Sequence, residues 1–168
     1  TTYKGEIAEG RLHVFECEVD GQKKYVTLAE RANQSLIILG DVGDISKVRQ
    51  LRAARKGLIM GNHDTGATKY KEIFNEVYQG PVQIGEKLIL SHEPLECGWA
   101  FNIHGHVHSF THRDDARHMC ICPEVTRQFE PINFNQLMKS GFMSKIETQH
   151  RKTINNATKR SRKRKGNK

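Results

Sequence analysis

The stretch "SLIILGDVGDISKVRQLRAARKGLIMGNHD", residues 35–64, holds two short apolar runs, each closed by a glycine-led polar turn, with a helix-forming segment between them. The runs SLIIL (35–39) and GLIM (57–60) are too short for helices and too uniformly apolar for half-exposed strands. That combination predicts strands buried on both faces. Between them Ile45, Val48, Leu51 and Ala54 recur every three residues in ISKVRQLRAAR, the spacing of a helix packed along one side. Strand, helix and strand in that order predict an α/β layered domain.

The pattern continues in both directions. Two further apolar runs, KLIL (87–90) and AFNI (100–103), predict two more buried strands. TKYKEIFNEVY offers Tyr70, Ile73, Phe74, Val77 and Tyr78 at helical spacing, and GPVQIGEKLIL predicts a hairpin turning at Gly85-Glu86. Upstream, residues 12–28 read as a β-hairpin around Asp20-Gly21, a dipeptide that accepts the positive φ of a tight turn. Downstream come a polar loop (109–118), a strand in MCICPEV and a short helix in PINFNQLMKSG ended by Gly141.

Composition sets the outer bounds. A chain of 168 residues is long enough for one domain with a sizeable core, here expected over 1–144 with its motif-bearing part at 35–135. The net charge of +8 is unevenly placed. Residues 145–168 carry ten Lys and Arg against one acid, Glu147, so the other 144 residues hold 17 bases against 18 acids and are near neutral. The expectation is a basic, largely disordered tail on a neutral body. Four cysteines without a CxxC pair argue against a disulfide framework and for a reducing compartment, so a cytoplasmic location is expected. No run approaches the ~18 apolar residues of a membrane span, which predicts no membrane partner.

Each apolar run gives way at once to a polar segment able to bind metal: GDVGD after the first, GNHD after the second, SHEP after the third and HGHVH after the fourth. In open α/β sheets, ligands bind beyond the carboxyl ends of the strands, where loops aim side chains at one point. Four strands of one sheet are therefore expected to deliver Asp, Asn and His to a common site. Imidazole, carboxylate and amide oxygen without thiolate suit Mn²⁺, Fe or Zn²⁺.

The ordered set GD, GNHD, SHxP and HGHxH resembles the calcineurin-like metallophosphoesterases, in the spacing of their small single-domain bacterial and phage members. The resemblance implies a layered sandwich of buried mixed sheets flanked by helices. It implies two divalent ions (Mn, Fe, Zn or Ni), with Asp41 as bridging carboxylate, Asn62, His92 and His106 as ligands of one ion, and His108 as a ligand of the other. His63 would contact the phosphate and protonate the leaving group, and Asp44 and Asp64 would orient ligands or His63. His104 lies on the same face as His106 and His108, but the motif gives it no ligand role. The implied activity is hydrolysis of a phosphomonoester or phosphodiester by a metal-activated hydroxide.

One part of the pattern is missing. The family carries a DxH motif at the end of its first strand, and no such motif precedes Gly40. His13 has Arg11 where the aspartate belongs. The site would then hold one complete ion position and one with only Asp41 and His108, so a single ion is the fallback expectation. An upstream strand bearing the motif, on a chain that begins at Thr1 without methionine, is the preferred explanation. The others are a site completed by different residues, or a catalytically degenerate fold that binds nucleic acid or protein. The tail TKRSRKRKGNK (158–168) would serve nucleic-acid binding through phosphate contacts alone, since it has no aromatics to stack on bases.

Overall fold

Leu58 and Ile59 are neighbours in sequence and belong to different hydrophobic clusters. Successive side chains of a strand leave opposite faces. A strand covered on both sides must therefore be apolar at every position, and GLIM meets that demand. Leu58 joins Val48, Leu51, Tyr70 and Phe74, whereas Ile59 joins Leu88, Leu90, Phe101, Ile103 and Ile146. Leu58 is fully buried, which contributes about 2 kcal/mol.

The computed structural model describes residues 2–7, 10–19, 22–29, 34–108, 117–126 and 131–146, with Asn156 and Lys159. Its architecture is mixed α/β. The strands are β1 (Thr2–Ile7), β2 (Gly10–Val19), β3 (Gln22–Ala29), β4 (Ser35–Ile38), β5 (Arg55–Ile59), β6 (Glu76–Tyr78), β7 (Val82–Ile84), β8 (Leu88–Ser91), β9 (Phe101–His104) and β10 (His118–Cys120). The helices are α1 (Ile45–Gln50), α2 (Ala67–Tyr70), α3 (Pro123–Thr126) and α4 (Phe134–Lys139), followed by a 3-10 turn (Phe142–Lys145). Among the described residues three small sheets form, in the orders β1-β2-β3, β4-β5-β6 and β10-β9-β8-β7. The first is antiparallel, the second parallel, and the third parallel except for its β7-β8 hairpin.

The expected hairpins and the helix before Gly141 form. β2 and β3 pair from Leu12↔Ala29 to Val19↔Gln22, although residues 20 and 21 between them lie outside the described residues. Gly85 takes φ 66° at the β7-β8 turn. The helix expected in PINFNQLMKSG is α4, capped by the Asn133 side chain, which accepts the Gln136 N–H at 3.1 Å. It ends before Gly141 at φ 75°. Cys97, Cys120 and Cys122 are free thiols. No helix among the described residues is long and apolar enough to cross a membrane. The loop at 109–116 and nearly all of the basic tail beyond 146 lie outside the described residues.

Other expectations need correction. The four motif-bearing strands do not share one sheet: β4 and β5 lie in one, β8 and β9 in another. β4 is an edge strand rather than a buried one, and Ile37 on it is 47% exposed. The helix expected over ISKVRQLRAAR stops at Gln50, because Leu51 turns to an extended backbone and enters the core while Ala54 bonds back to Gln34. The helix expected over TKYKEIFNEVY shrinks to α2. Val77 and Tyr78 instead form β6, where the β5 edge satisfies their backbone groups and Asn75 locks the entry by bonding Lys56 in both directions. A ladder along an existing strand outweighed local helical spacing. In MCICPEV only residues up to Cys120 extend β10, and Pro123 opens α3, a position proline favours.

Candidate metal centre

Asp41 and His106 are the two non-glycine residues with positive φ among those described, at 52° and 63°. Such backbone costs about 1–2 kcal/mol for a residue with a Cβ and persists only where surrounding contacts fix it. At Asp41 the fixing agent is Asp64. Its buried carboxylate accepts the N–H groups of Asp41 (2.8 Å), Val42 (3.0 Å) and Gly61 (2.8 Å) and the Tyr70 hydroxyl (2.7 Å). One side chain thereby ties the turn after β4 to the turn after β5. Burial first, then the hydrogen bond to Asp64 and the charges of Asp64 and Asp41, push the Tyr70 phenol up to about 12.

The turns approach so closely that only glycine fits between them. A Cβ on Gly61 would collide with the Asp41 side chain, lie 2.7 Å from the Asp41 backbone nitrogen and 2.8 Å from His92 Cε1. The Gly61→Ala variant is accordingly expected to lose about 1–3 kcal/mol, the range for overpacking, together with cation affinity. Urea denaturation and a metal titration check both; an unaltered variant would mean the turns can separate.

His92 sits at the centre of the cluster and is buried. Its Nδ1 lies 2.8 Å from the Leu39 carbonyl, an acceptor, so Nδ1 carries the proton and Nε2 presents a lone pair. Around Nε2 stand Asn62 Oδ1 at 2.9 Å, His106 Nδ1 at 3.0 Å and Asp41 Oδ2 at 3.3 Å. A proton added to Nε2 could serve only one of the three. Four electron-pair donors facing one another fit a cation between them: with bonds of ~2.1 Å, adjacent ligands are separated by about 3.0 Å in octahedral and about 3.4 Å in tetrahedral coordination. The separations from Nε2 fall close to that interval. The Leu39 carbonyl plays the part expected of an orienting partner, fixing the tautomer of a metal-binding histidine.

Comparison with known proteins adds little to this geometry. No protein-family model matches the chain, and no curated protein matches it. Among solved structures, one resembling it is that of the protein of unknown function AQ665 from Aquifex aeolicus, with 27% identity over 63% of this chain and 75% of that one and a TM-score of 0.46.

The residues singled out from sequence divide into three groups. Asp41, Asn62, His92 and His106 come together from the ends of β4, β5, β8 and β9. Asp64 underlies them through its bonds to both turns, and the His63 side chain is exposed, with its backbone N–H donating to Asp41 Oδ1 at 3.0 Å. Asp44 stands apart as the N-cap of α1, accepting the Ser46 N–H at 3.0 Å and hydroxyl at 2.6 Å. The Ser46 hydroxyl bond, aided by its backbone N–H and by Lys47, lowers the Asp44 pKa. Its contacts are those of a helix cap, and none reaches His63 or the four candidate ligands.

His108 lines the same open groove of ≈ 250 Å³ as Asp41, His92 and His106, but its nearest polar partner is Glu124 Oε1 at 3.2 Å from Nδ1. Cys122 lies with them: one ligand atom from each of His108, Cys122 and Glu124 falls within 4.8 Å of the others. A hydrogen bond with Cys120, then burial, hold the Cys122 thiol well above its ordinary pKa. His104 turns inward, is buried, and bonds the Gly105 carbonyl at 2.9 Å. The sequence reading placed Tyr70 on a helix face and Cys122 and Glu124 in a strand, and gave none of them a place at the site. The signal for the last two was present, since CPE stands just beyond β10 as the other motifs stand beyond their strands.

Proposed function

We propose that this protein is a metal-dependent phosphoesterase of the calcineurin-like type, a layered α/β sandwich that hydrolyses a phosphomonoester or phosphodiester. The observation that carries the reading is the convergence of Asn62 Oδ1, His106 Nδ1 and Asp41 Oδ2 on His92 Nε2, each from the end of a different strand. Two imidazoles, a carboxylate and an amide oxygen suit Mn²⁺, Fe, Zn²⁺ or Ni²⁺ better than Ca²⁺ or Mg²⁺, which prefer all-oxygen sites.

A divalent cation in such a site supplies Lewis acidity, lowering the pKa of a coordinated water and balancing charge on phosphoryl oxygens. The chain's own residues do the rest. Asp64 keeps the Asp41 and Asn62 turns at fixed separation, so the ligands need not reorganise when substrate binds. His92, held by Leu39, cannot rotate away. His63, exposed beside Asp41, donates its proton to the departing alkoxide.

The test is hydrolysis of a chromogenic phosphodiester by the full chain, with chelator and then with Mn²⁺. Turnover should vanish with chelator and return with metal. The His63→Ala variant should lose about 10²- to 10⁴-fold on a phenyl ester, the range for general acid catalysis, and far less on the chromogenic nitrophenyl ester, whose leaving group needs no proton. A parent chain inert with each of the four metals would overturn the catalytic reading.

A further inference from the structure

We infer that His108, Cys122 and Glu124 form a second cation site, selective for zinc, at the groove that His108 and Cys122 line together with Asp41, His92 and His106. The inference rests on the phosphoesterase reading for its role, since it supplies protein ligands for the ion position that the absent DxH motif leaves short. It does not rest on that reading for its geometry.

Three observations support it. The ligand atoms come from two strand ends, His108 after β9 and Cys122 and Glu124 after β10, and these strands are hydrogen-bonded neighbours. Their parallel register places Cys120 opposite His104, so the segments beyond them leave the sheet side by side. Second, Glu124 is half-used. Its Oε1 meets His108, whereas Oε2 is buried with no hydrogen-bond partner among the described residues. An orphaned buried carboxylate oxygen costs more than a neutral group, and a cation shared with His108 would relieve it. Third, His108 is 63% exposed and Cys122 buried, so an ion can enter from solvent and still meet a thiol shielded from it.

Three ligands and an open position are the pattern of a reactive zinc site rather than a structural one. The thiolate sets the selectivity, because soft sulfur favours zinc over manganese. On binding, the Cys122 Sγ–H bond breaks, sulfur gives its electron pair to the ion, and the proton leaves to bulk water.

The experiment uses Co²⁺ as an optical probe for zinc on the full chain under reducing conditions. The parent should take up two equivalents and show the near-ultraviolet charge-transfer band of a thiolate bound to cobalt. Cys122→Ser should lose that band and one equivalent while the other equivalent stays. Glu124→Gln should keep the band but bind that ion at least tenfold more weakly. His92→Ala should keep the band and lose the other equivalent. Circular dichroism on each variant separates site loss from misfolding. One equivalent without a band, unchanged in Cys122→Ser, would overturn this inference and leave the metal-centre reading intact. A band that survives Cys122→Ser would also overturn it. Failure to bind any cobalt would overturn both.

Discussion

Replacing Asp64 by asparagine is expected to destabilise the protein by roughly 2–5 kcal/mol, a large part of the 5–15 kcal/mol typical of a whole domain. The Asp64 carboxylate is buried and receives four donors, two on each oxygen. An amide keeps one oxygen and turns an NH₂ group toward the other two donors, so repulsion replaces attraction where water cannot compensate. The midpoint of urea unfolding should fall with its slope unchanged. A loss under about 1 kcal/mol would mean that something else holds the two turns. Tyr70→Phe, which deletes a single donor, should cost about 1 kcal/mol. It should also flatten the alkaline limb of the stability curve. The folded state keeps the phenolic proton up to about pH 12, whereas the unfolded chain releases it near 10.0. The stabilisation is thus present below the lower value and lost as pH rises between them.

The second large effect concerns cation binding. Saturating Mn²⁺ at about 100 times its dissociation constant should stabilise the parent by about 2.7 kcal/mol, which raises Tm by roughly 5–10 °C for a domain of this size. In Asp41→Asn and His92→Ala that shift should disappear. Even partners that merely orient a ligand cost about 10–100-fold in affinity when lost. Removing a candidate ligand itself, His92 Nε2 or the Asp41 Oδ2 that stands 3.3 Å from it, should cost at least about 100-fold. Thermal unfolding with and without Mn²⁺ reads this directly. A shift that persists in both variants would place the ion elsewhere. The two effects are physically linked: Asp64 touches none of the four ligand atoms, yet by fixing the positive-φ backbone of Asp41 it decides where one of them stands.

The third sheet and its neighbours show where sequence reasoning had purchase. LIL and FNI announce buried strands because a segment covered on both faces admits no polar alternation, and the structure buries every residue of β8 and β9. GLIM predicts the same for β5, and the two clusters that divide Leu58 from Ile59 bear it out. The candidate ligand residues were legible for a related reason. Asp41, Asn62, His92 and His106 each stand just beyond such a run, and a strand end is the one place where an α/β fold can aim a side chain while its backbone stays rigid.

Tertiary structure alone decided the rest. The helical spacing of Tyr70 to Tyr78 is real, but β5 offered an unpaired edge that a local pattern cannot see, and β6 formed there. Asp44 and Asp64 are the same residue type in similarly turn-like stretches of sequence. Burial beside Tyr70 and Gly61 makes one the brace of the candidate metal centre, and Ser46 makes the other a helix cap. The meeting of His108 with Cys122 and Glu124 depends on β10 lying beside β9, a contact across a loop that sequence spacing does not encode. Local sequence thus set which residues are chemically suited to hold a cation and that they stand at strand ends. Which of them meet was set by strand pairing, because hydrogen-bonded edges join segments distant along the chain and no residue's own neighbours specify its partner.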